Sequence, residues 1–325
     1  MRGTNRDCPC LSHWARRGQP PFGPFFPSLV GGKFVQKHVG VAPFILYTWS
    51  NDEGDGVVEM VNLFGTPGKR IIQENLVELE HIKKLVVESN IASIKVSTHE
   101  EKHVQLVLET YENGPDLGVS LNNELLQVDI KLPGKKKLPA IGKPEVSMLY
   151  IYLPENFAEY YQIQTTVGNV TVNDLYGREL EIETSAGNIT INYVEMEKLT
   201  VESGAGNIKL EQIQSNQLVA DSGAGNIHGM YCKGKIFAES GAGNMFFHVD
   251  GEEDVTMKTG VGNIQAYFTD IESLNATLTA SASIGKVHSD FLMDGNKFSH
   301  VFKDGEKTIT FKAGAGNINL YRDVK

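Results

Sequence analysis

From Tyr161 onward, apolar and polar residues alternate in short stretches that recur at a fixed interval. The recurring phrase reads QTTVGN (164–169), ETSAGN (183–188), ESGAGN (202–207), DSGAGN (221–226), ESGAGN (239–244), KTGVGN (258–263) and KAGAGN (312–317). A degenerate copy, ASASIGK, ends at Lys286. Asn169, Asn188, Asn207, Asn226, Asn244 and Asn263 follow one another at a constant step, shortened once by a single position between Asn226 and Asn244. Aligned on the asparagine, the position eight before it holds Tyr161, Leu180, Leu199, Leu218, Ile236 and Val255. The position six before it holds Ile163, Ile182, Val201, Ala220, Ala238 and Met257, and the position one after it Val170, Ile189, Ile208, Ile227, Met245 and Ile264. Apolar columns two apart with polar residues between them are the period of a strand with one face buried. No helical period competes. Each repeat is therefore predicted to supply two short strands joined by a Gly-Asn corner.

A unit this short cannot bury its apolar face alone, whereas stacked units can. The prediction is an all-β chain forming a single β-solenoid of parallel stacked rungs of about 19 residues, with an irregular β cap at its N-terminal end. The corners are Gly168-Asn169, Gly187-Asn188, Gly206-Asn207, Gly225-Asn226, Gly243-Asn244, Gly262-Asn263 and Gly316-Asn317. Glycine suits a sharp turn because it reaches positive φ without steric cost. Asparagine tolerates left-handed geometry and, stacked on copies of itself, can hydrogen-bond as a ladder. The Ser/Thr position four before each asparagine is a candidate for a second ladder.

Upstream, Leu85–Val96 reads as a decayed rung, and the stretches 103–110, 118–132 and 146–153 alternate like strands. Residues 85–160 are thus expected to form irregular rungs or the cap, and 161–325 the regular repeats. Near the other end, the Asp-Gly turns at 294–295 and 304–305 suggest a hairpin over the exposed strand edge. Residues 51–84 are expected to be a linker.

Composition separates the first 50 residues from the rest. They hold both tryptophans, six of the 12 prolines, six basic residues and one acid, whereas no proline follows Pro154. Proline cannot donate to a strand ladder, so a long proline-free tract suits continuous β structure. Residues 1–50 show no period and are expected to be disordered or a misread segment, with Phe44–Trp49 the surviving end of a lost membrane anchor as a further possibility. The full chain has 325 residues and a formal charge of −10, which argues against nucleic acid as partner. Three cysteines make no disulfide framework, and Cys8-Pro9-Cys10 lacks the second pair a metal site needs. No run is long and apolar enough for a membrane helix. No cofactor is implied.

The S-G-A-G-N-I phrases at 203–208 and 222–227 resemble the bacterial putative-adhesin domain, a family of unknown function with β-strand repeats. The resemblance spans about residues 85–325. It implies a non-enzymatic cell-surface or envelope protein acting as an adhesin or binding scaffold, and it carries no catalytic residues. A cytoplasmic location stays open, because the chain shows no clear anchor. The partner itself is not identified by the sequence, an envelope polymer, an anionic lipid and a surface protein being the candidates.

Three features invite chemistry. Glu183, Glu202, Asp221 and Glu239 precede the Ser/Thr of successive motifs, so stacking sets carboxylates about 5 Å apart. That approaches the spacing in retaining glycosidases and could attract Ca²⁺, against a plain solvated acidic face. A carbohydrate-acting enzyme on a β-helix scaffold is the alternative function this column supports. Lys135, Lys136 and Lys137 lie in a proline-flanked loop that could meet anionic head groups or wall polymers, against an ordinary surface loop. His228 and His248, two and four residues after their asparagines, read as surface positions, and Cys232 as a core residue. Aromatic residues for stacking sugars read as sparse in the motif strands.

Overall fold

The computed structural model describes residues 45–49, 58–62, 70–78, 82–132, 147–155, 157–292 and 295–322. The expectations for residues 1–44, including Cys8 and Cys10, and for Lys135, Lys136 and Lys137 lie outside these residues. Residues 43–325 form one compact unit, and every regular element described in it is a β-strand.

The coil is a parallel solenoid. Val170–Ala186, Ile189–Ala205 and Ile208–Ala224 are strands of 17 residues, each running from one Gly-Asn corner to the next. They pair in parallel at a constant offset of 19, with Leu180 beside Leu199 beside Leu218 and Val172 beside Ile191 beside Leu210. The apolar columns found in the sequence are the core: Leu180, Ile182, Leu199, Ile191 and Leu218 are fully buried. Burying each such side chain contributes roughly 1.5–3 kcal/mol, and the parallel register lets one rung's side chain rest on the next.

Four successive rungs have a second corner that the pattern did not reveal. Asp174, Tyr193, Gln212 and Tyr231 all adopt φ of 54–57°, five residues after the asparagine. Left-handed backbone is uncommon for residues other than glycine, yet here it falls on the same position in four successive rungs. In these four rungs the expected pair of short strands is thus one long strand bent at this residue, whereas Met245–Val249 and Val255–Val261, like Ile264–Phe268 and Ala276–Ile284, are separate short strands.

The one shortened step, from Asn226 to Asn244, is absorbed by a bulge. Gln214 pairs with Lys233 and Gln217 with Lys235, so Ser215 and Asn216 face the single residue Gly234. Gly234 has φ of 106°, and a Cβ there would overlap the Ser215 carbonyl oxygen. Only glycine fits both conditions.

At both ends the order along the stack departs from the order along the chain. Lys84–Ser89 and Ala92–His99 lie against the first regular rung, through Tyr161 beside Leu85 and Val170 beside Ile94. Leu125–Lys131 and Ser147–Pro154 then add outside them. At the far end Lys307–Ala315 inserts between Val255–Val261 and Ala276–Ile284, which makes the degenerate repeat the outermost rung.

Antiparallel strands cover these terminal rungs. Asp116–Asn122 pairs with Leu125–Lys131, His103–Tyr111 with Ser147–Pro154, and Lys297–Val301 with Ala276–Ile284. Within 51–84, expected to be a linker, Val58–Asn62 and Arg70–Glu78 are strands. Arg70–Glu78 pairs along its whole length with His103–Tyr111, and Val58–Asn62 pairs with Arg70–Glu78. Ile45–Trp49, expected to be disordered, pairs with Val58–Asn62. These strands continue the sheet outward because an open end of parallel strands leaves unpaired N–H and C=O groups.

Candidate functional site

The Gly-Asn corners stand in a file along one edge. The backbone N–H of Asn188 donates to Oδ1 of Asn169 at 2.8 Å, that of Asn207 to Asn188 at 2.9 Å, and that of Asn226 to Asn207 at 2.9 Å. The file continues through Asn244, Asn263 and Asn317 at 2.8 Å each. Each side-chain oxygen serves the next rung, so the last rung needs no asparagine. Lys286 occupies that place, and its N–H donates to Asn317 Oδ1 at 3.0 Å. At the other end the N–H of Asn169 donates to the Ser93 hydroxyl at 3.1 Å.

No corner asparagine has positive φ, whereas Gly168, Gly206, Gly262 and Gly316 do, at 158°, 159°, 150° and 148°. The glycines are required by close approach, since a Cβ on Gly206 would overlap the carbonyl oxygen of Gly187 in the adjacent rung. That oxygen also accepts a hydrogen bond from the Ser203 hydroxyl at 3.0 Å, and Ser222 and Ser240 repeat the contact on Gly206 and Gly225. The Ser/Thr column therefore bonds to backbone and not to itself. This corner is structural machinery whose outer surface is a row of amides.

The acidic column is continuous. Glu183, Glu202, Asp221 and Glu239 stand directly beside one another on successive rungs, with Gln164 before them and Lys258 after. Burial and the neighbouring Glu239 raise the Asp221 carboxyl above the ordinary range. The ends of the run are matched: Gln164 Nε2 donates to Glu183 at 3.2 Å, and Lys258 lies 3.8 Å from Glu239. Such exposed pairs contribute little to stability. Among the described residues no group of three or more His, Cys, Asp or Glu side chains is arranged to hold a metal ion. None of these four carboxylates lines the groove around Glu159 and Arg178 or the groove around Asn244 and Gln265.

The stack instead gathers a chemically richer patch on the outer side of the strands following the corner. His248 pairs with Tyr267 and Tyr267 with Tyr321. Their ring centroids are 5.6 and 4.8 Å apart, with planes inclined by 17° and 31°, so the rings form a ladder of slats. Phe246 lies 5.0 Å from Tyr267 and 5.4 Å from His248, and Tyr231 adds a fifth ring 5.7 Å from His248. His228 packs edge-on against Phe246 at 4.4 Å, where burial and the nearby Lys209 hold its pKa below the ordinary value.

Beside the rings, Asn226, Asn244, Asn263, His228, Phe246 and Gln265 line a shallow groove of about 370 Å³. Sequence reasoning placed His228 and His248 on the surface but missed the cluster. The signal was present two and four residues after each asparagine, yet Tyr321 joins Tyr267 only because the last motif inserts out of chain order. Cys232 is buried in the core, which pushes its thiol up to about 12.

A parallel coil with Gly-Asn corners, capped strands and an outward amide and aromatic face defines a β-solenoid repeat domain. The chain belongs to the Toastrack DUF4097 family, which matches residues 82–321. It is similar to the crystal structure of a putative adhesin from Bacteroides fragilis, with 17% identity, a TM-score of 0.48, and 78% of this chain and 97% of that one covered. A putative lipid binding protein from Parabacteroides distasonis shows 15% identity, a TM-score of 0.47 and coverage of 79% and 98%. A putative cell adhesion protein from Clostridium sporogenes shows 18% identity, a TM-score of 0.33 and coverage of 78% and 100%. No curated protein matches the chain. Among the described residues no helix is long and apolar enough to cross a membrane.

Proposed function

We propose that this protein is a non-enzymatic binding scaffold of the cell envelope or surface, of adhesin type, which engages its partner through the aromatic and histidine face of its later rungs. The observation that carries this reading is the ladder of His248, Tyr267 and Tyr321 with Phe246 alongside. Clustered outward aromatics of this kind are what binding surfaces concentrate, because a ring offers large contact area at low conformational cost. The solenoid supplies rigidity, since each ring sits on a strand fixed by parallel pairing on both sides. The acidic column supports catalysis less well, because its ends are matched by Gln164 and Lys258 and no group of three or more His, Cys, Asp or Glu side chains among the described residues is arranged to hold a metal ion.

Fractionation of the cells that make the protein tests the location: it is expected in the envelope fraction, and purely cytosolic recovery would overturn that part of the reading. Sedimentation with isolated envelope tests the face. Binding by the full chain is expected to fall sharply in Tyr267→Ala and to persist in Glu202→Gln; the reverse pattern would move the function to the acidic column.

A further inference from the structure

We propose that the groove beside the aromatic ladder is a subsite for a neutral polysaccharide chain. This rests on the binding-face reading above and assigns its ligand class. Four features of the groove point to that chemistry.

The first is the state of the amides. Asn188, Asn207 and Asn226 each donate their Nδ2 to the preceding asparagine's Oδ1, at 3.3, 3.2 and 3.1 Å. Beyond Asn226 this second bond stops. Among the described residues Asn244 and Asn263 keep the bond from backbone N–H to side-chain oxygen but have no protein acceptor for Nδ2. Their Oδ1 atoms are committed to the next rung, which fixes the amide orientation and leaves the NH₂ as a preset donor. A sugar hydroxyl or ring oxygen is an acceptor suited to such a donor. Gln265, in the same groove, supplies another amide.

The second feature is the ring surface next to these donors. Phe246 lines the groove itself, and Tyr267 and Tyr321 extend the ring ladder away from it. A pyranose has a polar rim and an apolar C–H face, so amides beside the Phe246 ring satisfy both.

The third is charge. None of Asn226, Asn244, Asn263, Gln265 and Phe246 carries charge. His228 is biased toward the neutral imidazole by burial, Lys209 and His248. Lys209, which precedes His228 in the same column one rung back, is paired with Glu211 at 2.9 Å. The chain as a whole carries −10. An anionic head group or acidic polymer would meet repulsion and, among the groove's lining residues, no cation, whereas a neutral chain loses nothing. The fourth is repeat length. The ring steps of 5.6 and 4.8 Å follow the interstrand spacing of roughly 5 Å, which is comparable to the length of one pyranose unit. A linear glycan lying along the stack would meet equivalent groups once per sugar.

The test titrates the full-length protein with cellohexaose, xylohexaose, mannohexaose and chitohexaose by calorimetry. Saturable binding of at least one is expected. It should weaken about tenfold or more in Phe246→Ala and in Gln265→Ala, and stay unchanged in Tyr150→Ala, on a strand toward the other end of the stack. Circular dichroism checks each variant's fold, and Gln265→Ala removes only an outward amide, so it serves if Phe246→Ala misfolds. Binding insensitive to Gln265→Ala overturns the assignment. Absence of hexasaccharide binding, with envelope sedimentation still dependent on Tyr267, also overturns it but leaves the binding face standing. Envelope binding abolished by protease treatment of the envelope marks a protein partner and again sinks the glycan. Loss of the Tyr267 dependence as well removes both readings.

Discussion

At the scale of single residues, two kinds of side chain hold the corners. Asn207 Oδ1 accepts from the N–H and Nδ2 of Asn226, and its own Nδ2 donates to Asn188, so Asn207→Ala strands one backbone donor and deletes two side-chain bonds. An expected loss of about 1–3 kcal/mol would appear as a lower urea midpoint. Lys286→Asn is expected to change little, because no further rung follows the position whose N–H Asn317 already accepts. Equal effects at the two sites would contradict a ladder that serves only the next rung. Burial also sets a pH response. The Cys232 thiol is raised from 9.0 to about 12 and the Tyr161 hydroxyl from 10.0 to about 12. A raised folded-state value means that the folded chain keeps its proton where the unfolded chain has lost it. The stability linked to these groups is therefore fully present below pH 9 and is lost as pH climbs toward 12. Urea midpoints measured from pH 8 to 12 should fall across that window, and fall less steeply in Cys232→Ala and Tyr161→Phe, each compared with its own value at pH 8.

At the scale of the element, the bulge at Gly234 and the terminal strands carry the consequences. Gly234 combines a φ of 106° with overlap of any added Cβ against Ser215. Gly234→Ala should cost roughly 1–3 kcal/mol, read from the same urea midpoint. Removing 291–302 strips the antiparallel partner from Ala276–Ile284 and bares a paired edge; oligomers in light scattering are the expected result. Much of this element structure was legible in the sequence. The rungs follow from columns such as Leu180, Leu199 and Leu218, because burial on one face of a strand leaves a period of two. The bend at Asp174, Tyr193, Gln212 and Tyr231 was not legible, because these four side chains share no turn preference and the backbone is held there by its neighbours. The strands at 45–49, 58–62 and 70–78 were missed for a related reason. They add antiparallel beyond an irregular end, where no repeat marks them.

At the scale of the whole unit, stack order matters more than chain order. The aromatic face was hidden in the sequence because Tyr321 is remote from Tyr267 along the chain and one rung away in space. Parallel register at a constant offset gives a direct test of this view. Excising 189–207 removes one full repeat and joins Asn188 to Ile208. Val170 would then pair with Ile208, Leu180 with Leu218 and Asn188 with Asn226, each replacing a neighbour of the same type. In a stack whose units touch mainly their neighbours, stability is a sum of unit and interface terms. The shortened protein should therefore fold, keep both capped ends and retain the aromatic face, which lies on later rungs. Its denaturant m-value should drop in proportion to the surface of one missing rung. Excising 189–206 or 189–208 instead, one position too few or too many, would shift every alternating side chain to the opposite face. Either variant should fail to fold unless a second bulge like that at Gly234 is supplied. Comparing the three deletions by circular dichroism and urea titration separates a true rung period from a sequence repeat whose length is incidental to the stack.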